Sequence, residues 1–169
     1  MRIIIHDLES SDFQSIFPQP PGEAVIIAND ATIHHCLGCF GCWIKTPGVC
    51  VIRDKYSNIG ELFSKCSEAL IISRCFYGGY SPFVKNVLDR SIPYIHPNFR
   101  NRNGEMHHKR RYKNHVDLQV YFYREDITES ERQVARDLVW ANAANLCWDV
   151  VGVSFSNSLA ELEVQVSCE

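Results

Sequence analysis

The chain has 169 residues, enough for one domain that buries roughly 70% of its unfolded surface without covalent staples. Seventeen Lys and Arg against 20 Asp and Glu leave a formal charge of −3, which argues against nucleic acid as the primary partner. With 46% hydrophobic and 22% charged residues the composition is that of a folded globular chain, which excludes disordered and low-complexity architectures.

The apolar runs at 24–28 and 69–72 are far shorter than the roughly 20 residues a bilayer-spanning helix needs, so no membrane partner is expected. His6 and Asp7 interrupt the amino-terminal region before any leader-like apolar stretch develops, and the expected setting is cytoplasmic. Eight cysteines fall below the density of a disulfide-stapled scaffold. Four of them crowd into 36–50, which points to free thiols or a metal centre.

In chain order, 2–6 and 23–27 are β-branched runs separated by a turn with Pro18, Pro20, Pro21 and Gly22, and both read as buried strands. Between them Phe13, Ile16 and Phe17 support only one or two helical turns, so the first helix is abbreviated. Residues 29–56 carry cysteines and glycines without periodicity and read as a long functional loop. Ser57 is placed to cap a helix over 58–66 through Ile59, Leu62, Phe63 and Cys66, ahead of a third strand at 69–73.

Ser81-Pro82 opens another helix with Val84, Val87 and Leu88 on one face. The stretch 93–115, with two prolines, Gly104 and dense His and basic residues, reads as an insertion before an alternating strand at 116–123. Thr128 caps a helix over 129–146 whose inner face is read as Val134, Leu138, Ala141 and Asn145, with Trp140 close by. A fifth strand follows at 150–155, and the acidic stretch around Glu161, Glu163 and Glu169 is a short helix or a frayed tail. This alternation predicts a single domain over 1–169 of the three-layer α/β class, a doubly wound five-stranded parallel sheet with ligands outside the carboxyl ends of its strands.

Cys36, Cys39, Cys42 and Cys50 form a C-x2-C-x2-C-x7-C array. Four thiolates so spaced match the ligand count of a tetrahedral zinc or an iron-sulfur cluster, and the compactness favours the cluster; small unligated packing cysteines are the alternative. The loop Cys75, Phe76, Tyr77, Gly78, Gly79 and Tyr80, at a strand's carboxyl end and ahead of a helix, suits a planar ligand such as flavin. Its aromatics also suit plain packing. In the insertion, Glu105, His107 and His108 have metal-ligand chemistry, and Lys109, Arg110, Arg111 and Lys113 can attract an anion or face a partner subunit. Cys66 and Cys147 read as core, whereas Cys168 has no clustered partner.

The array from Gly38 through Cys50 to Asp54, the strand at 68–72, and the stretch from Tyr77 through Lys85 to Asp89-Arg90 resemble the flavodoxin-like NAD(P)H-dependent FMN reductases and their iron-sulfur flavoprotein branch, over roughly residues 36–92. The resemblance implies a flavodoxin-like fold and FMN-dependent electron transfer from NAD(P)H to a small-molecule or protein redox partner. It implies a flavin ring against Cys75 to Tyr80, flanked by Tyr123, Arg124 and Glu125, and a 4Fe-4S cluster on Cys36, Cys39, Cys42 and Cys50. It further implies a homo-oligomer.

The loop after the first strand departs from that family, which cradles the FMN phosphate there with small polar residues. Here Asp7, Glu9 and Asp12 repel a dianion, and Ser10 and Ser11 are the remaining donors. The competing reading is therefore a flavin-free module of the same fold that acts in assembly or partner binding.

Overall fold

The structure is a computed structural model that describes residues 1–19, 22–102 and 104–167. Pro20, Pro21, Cys168 and Glu169 lie outside the described residues. In chain order the elements are β1 (Arg2–His6), α1 (Ser10–Ile16), β2 (Ala24–Ala28), α2 (Gly41–Ile44), α3 (Ile59–Ser64), β3 (Glu68–Arg74) and α4 (Pro82–Arg90). A 3-10 turn (Ile92–Tyr94), β4 (Ile95–Arg102), β5 (Glu105–Arg110), β6 (Asp117–Tyr123), α5 (Glu129–Leu146), β7 (Asp149–Ser156) and α6 (Leu159–Ser167) follow. Five strands form one parallel sheet in the order β2-β1-β3-β6-β7, the doubly wound sheet expected from the alternation and the flavodoxin-like fold that the resemblance implies.

Central parallel strands are covered on both faces, and β1 shows it: Ile3, Ile4 and Ile5 are all fully buried. Their alternation divides the core. Ile3 and Ile5 join Ile71, Val120 and Phe122 beneath α3, α4 and α5, whereas Ile4 joins Leu70, Ile72 and Tyr121 beneath α1 and α6. The second layer is thin because α1 ends after seven residues, with Ile16 alone buried. An open groove bounded by Phe17, Leu70, Gln119 and Val166 marks the strip of sheet that a longer first helix would cover.

Several expectations shift. Ala24–Ala28 is an edge strand and not a buried one, with Ile27 its single buried residue. Ser57 does not cap α3; Asn58 holds that position and its side chain makes no capping bond. Ser81 and Thr128 do cap their helices, Thr128 in a capping box with Glu131. The buried stripe of α5 is Ala135, Val139 and Ala143, so Val134, Ala141, Asn145 and Trp140 face solvent and Leu138 is half-buried. Small residues let the helix lie close on the sheet, and that preference outweighs the bulkier face the sequence offers. The insertion is not irregular: Ile95–Arg102 and Glu105–Arg110 pair as an antiparallel hairpin.

His6, at the end of β1, is 3% exposed and stacks on Phe13 of α1, with ring centroids 4.2 Å apart and 13° between planes. Burial depresses its pKa from 6.5 to about 4. Its contribution to stability is therefore complete above pH 6.5 and lost as the pH falls towards 4, about 3 kcal/mol in all. Denaturant unfolding at stepped pH should show that decline in the native chain and a flatter one in His6→Phe.

Candidate functional site

The long loop 29–56 is fixed to the domain by one buried ion pair. Arg90, the last residue of α4, has a fully buried side chain whose Nη1 and Nη2 donate to the two carboxylate oxygens of Asp54 at 2.7 and 2.8 Å. Nη1 also donates to the His34 carbonyl at 2.8 Å. The guanidinium holds the Asp54 carboxyl below the usual carboxylate range. Both ends of the cysteine segment are thereby tied to α4, and Trp43 ties the middle by donating Nε1–H to the carbonyls of Ile92 and Ile95, both at 3.1 Å.

Between these anchors the backbone coils tightly. Gly38 at φ 61° and Phe40 at φ 54° place two left-handed residues just before α2, and they turn the chain back on itself. Cys36, Cys39, Cys42 and Cys50 consequently line one small apolar cavity, with Val51 and Ile92 among its walls and Arg90 on one side. Burial raises the Cys42 thiol to about 11, and the neighbouring Cys50, Cys36 and Cys39 push the same way. Besides Asp54, the Arg90 guanidinium neighbours Cys50 of the array. Among the described residues the thiols are free, and no group of three or more His, Cys, Asp or Glu is arranged to hold a single metal ion.

The second expected site lies at the carboxyl ends of β3 and β6. Phe76 and Gly79 exchange backbone hydrogen bonds of 2.9 and 2.8 Å around Tyr77 (φ 49°) and Gly78 (φ 78°), a two-residue hairpin turn of the I′ kind. A Cβ on Gly78 would lie 2.8 Å from that of Val134, so the turn sits hard against α5. Tyr77, 89% exposed, and Phe76 present their rings to solvent. Cys75 and Tyr80 are instead buried, Tyr80 against Phe122 at 5.3 Å between centroids. The sequence groups these six residues as one site, and the structure divides them between surface and core.

The β6 loop closes on the same turn. Arg124 donates Nη1–H to the Cys75 carbonyl at 3.1 Å and Nη2–H to Glu131 at 2.6 Å, which bridges the β3 turn to the first turn of α5. Glu131 is held well below the usual range, to about 2, by Arg124 and the Thr128 cap. Tyr123 donates its hydroxyl to Asp7 at 3.1 Å, and Glu125 is exposed.

The hairpin histidines do not meet. His107 and His108 are successive on β5 and point to opposite faces, His107 towards Glu105 (3.1 Å) and His108 towards the His96 carbonyl (2.9 Å). Side chains on opposite faces of a strand do not converge on one metal ion, so the Glu105–His107–His108 metal reading is not borne out among the described residues. Asp54 and Arg90 fall within the stretches that carry the family resemblance, but the sequence reading gave them no role and could not show that they pair.

No known protein-family profile matches the chain. An iron-sulfur flavoprotein of Archaeoglobus fulgidus is 29% identical over 92 residues, which span 54% of this chain and 37% of that protein. Solved structures resemble it in fold. The Trp repressor binding protein of Bacillus subtilis superposes with TM-score 0.58 at 13% identity, covering 99% of this chain and 96% of that one. General stress protein 14 of Treponema denticola in complex with FMN gives 0.55 at 13% identity, with 99% and 91% covered. An FMN-dependent NADH-azoreductase of Bacillus anthracis in complex with FMN gives 0.53 at 10%, with 99% and 97% covered. These likenesses establish a flavodoxin-like fold and agree with the resemblance carried by residues 36–92.

Arg90→Met leaves Asp54 buried and unpaired and is expected to destabilise the domain by about 3–5 kcal/mol, whereas Arg90→Met with Asp54→Leu should recover most of that loss in denaturant titrations.

Proposed function

We propose that the chain is a flavodoxin-like oxidoreductase of the iron-sulfur flavoprotein and NAD(P)H-dependent FMN reductase type, an electron-transfer protein with its cluster on Cys36, Cys39, Cys42 and Cys50. The observation that carries this reading is the convergence of the four thiols on one apolar cavity beside a buried guanidinium. That donor set fits a cluster. A cubane spreads its four thiolates more widely than one zinc ion does, and the Arg90 guanidinium would lie beside the ligated Cys50.

The flavin places two demands, and this chain meets one. The exposed Tyr77 and Phe76 on a rigid turn suit an isoalloxazine ring, with Tyr123, Arg124 and Glu125 flanking it. Tyr77 pays in backbone strain for that exposure, as residues at ligand sites often do. The phosphate is not accommodated at the first loop, where Asp7, Glu9 and Asp12 stand and Glu9 makes no capping bond to α1. When bound, a flavin ring converts a hydride into single electrons and a cluster stores single electrons.

The chain's own residues supply placement. Helix α4, about 13 Å long, begins just after the turn proposed for the flavin ring and ends beside the cysteine cavity. Cys36 and Gly38 also border a groove between α4 and α5 lined by Leu88, Leu138 and Leu146, which gives the cysteine centre a surface where a protein or small-molecule redox partner can approach. Reduced nicotinamide is the donor this reading names, and a homo-oligomer the assembly. The arm of Arg124 across the β3 turn favours a second reading, a flavin-free module of the same fold.

Protein purified without oxygen is expected to show broad absorption bleached by dithionite and about four irons per chain. Cys42→Ser should lose both, and Cys66→Ala, outside the array, should retain them. Colourless iron-free protein prepared in this way would overturn the cluster, and failure to bind any flavin as well would leave the module reading.

A further inference from the structure

The charges of this chain are unevenly distributed. Residues 95–114 hold six of the 17 Lys and Arg and one of the 20 Asp and Glu, a local charge of +5 that leaves −8 on the remainder. They comprise the β4–β5 hairpin, a two-stranded sheet apart from the main one, and the four residues after it. Elsewhere Arg2, Lys55, Lys65, Lys85 and Arg136 pair with carboxylates, whereas among the described residues none of the six cations in 95–114 makes an ion pair. Arg100 and Arg111 are tied inward, to the Cys147 sulfur at 3.2 Å and the Pro93 carbonyl at 3.0 Å. Arg102, Lys109, Arg110 and Lys113 are exposed.

The hairpin also presents apolar surface. Phe99 lies opposite His108 and Asn101 opposite Met106, so these side chains share one face, and strand alternation adds Arg110 to it. Phe99 is 56% exposed and Met106 68%. From Phe99 a row of rings runs into the cysteine segment, through His108 at 4.5 Å between centroids and Trp43 at a further 5.0 Å to Phe40 at a further 5.1 Å. Phe40 is half-exposed and is itself a wall of the cysteine cavity. Exposed Phe and Met beside Arg have the composition of an interface centre.

We propose that this face of the hairpin docks an acidic protein, with Phe99 and Met106 at the dry centre of the contact and Arg110, Lys109 and Lys113 meeting the partner's carboxylates. Arg110 spends one donor on the Asn114 carbonyl and keeps the rest of its fork for such a group. The charge map selects the occupant. A nucleic acid or an anionic bilayer carries its charge over a longer reach than a hairpin of about 25 Å, and it would meet the −8 of the body. A protein confines its carboxylates to the hairpin and offers apolar side chains to Phe99 and Met106. Seated there, it lies at one end of the ring row whose other end is the cysteine cavity. The proposal stands apart from whether the cysteines carry a cluster.

The test is a binding titration of the full chain with two labelled probes, polyglutamate and an acidic peptide in which every fourth glutamate is leucine. Both should bind, the leucine-bearing peptide more tightly, and both should weaken about tenfold between low salt and about 0.5 M. Lys109→Glu with Lys113→Glu should weaken both about tenfold, whereas Lys55→Glu with Arg136→Glu, the same change of net charge outside the hairpin, should alter neither by more than about twofold. Phe99→Ser with Met106→Ser should remove the advantage of the leucine-bearing peptide and leave polyglutamate as it was. Binding of neither probe, or equal weakening in the two charge variants, would overturn the proposal. Duplex DNA or phosphatidylserine vesicles that bind more tightly than either peptide would overturn it as well. So would a native oligomer that Lys109→Glu with Lys113→Glu splits into monomers in sedimentation, which would make a second copy the occupant. Where a hairpin variant fails to fold by circular dichroism, the native chain decides: polyglutamine bound as tightly as polyglutamate would overturn the proposal. None of these readouts depends on iron or flavin content, so failure here and failure of the electron-transfer reading are told apart.

Discussion

The buried Arg90–Asp54 pair is the interaction on which the distinctive part of this molecule depends. Residues 29–56 contain one four-residue helix, and the backbone bonds they make among themselves gather in 40–54, in and around that helix. Desolvating a guanidinium and a carboxylate is costly, and the cost is offset only when both are paired in good geometry, as they are here with two bonds to Asp54 and one to the His34 carbonyl. That requirement fixes the loop in one position. Two contacts on either side of the cysteine array hold the segment as the wall of a cavity, with Arg90 beside Cys50.

At the other end of α4 the same fold is put to a different use. The sheet retains the strand order, the left-handed turn at Tyr77-Gly78 and the helix caps of its architecture, yet its ligand end is drawn shut by Asp7 and Arg124. A frame and a site answer to separate constraints: the frame to burial of Ile3, Ile4, Ile5 and their neighbours, the site to a handful of polar side chains at strand ends. Loops can change charge without disturbing the core beneath them. The short α1 belongs with this change, because a helix of seven residues led by Glu9 offers no anion cradle and leaves part of the sheet uncovered.

Much of the frame is written in local pattern. The β-branched runs of β1 and β3, the Ser81-Pro82 start of α4 and the Thr128 to Glu131 capping box each depend on residues close in sequence, and each forms as the sequence implies. The inner face of α5 was not legible: Val134 and Leu138 look like a core stripe, but the sheet admits Ala135, Val139 and Ala143, since the distance between helix and sheet is set by everything packed beside them. The hairpin of β4 and β5 was hidden because its strands are polar and half-exposed and lack a clean period of two.

By itself the sequence determined the α/β class, the number of sheet strands, the abbreviated first helix and the crowding of four cysteines, because propensity, periodicity and spacing act over a few residues. Tertiary structure alone decided that those cysteines line one cavity, that Arg90, paired with Asp54, borders it, that Tyr77 is exposed while Tyr80 is core, and that Asp7 occupies the switch point. Each of these joins residues far apart in the chain. Such contacts are set by burial and charge compensation in the assembled fold, which no local pattern records.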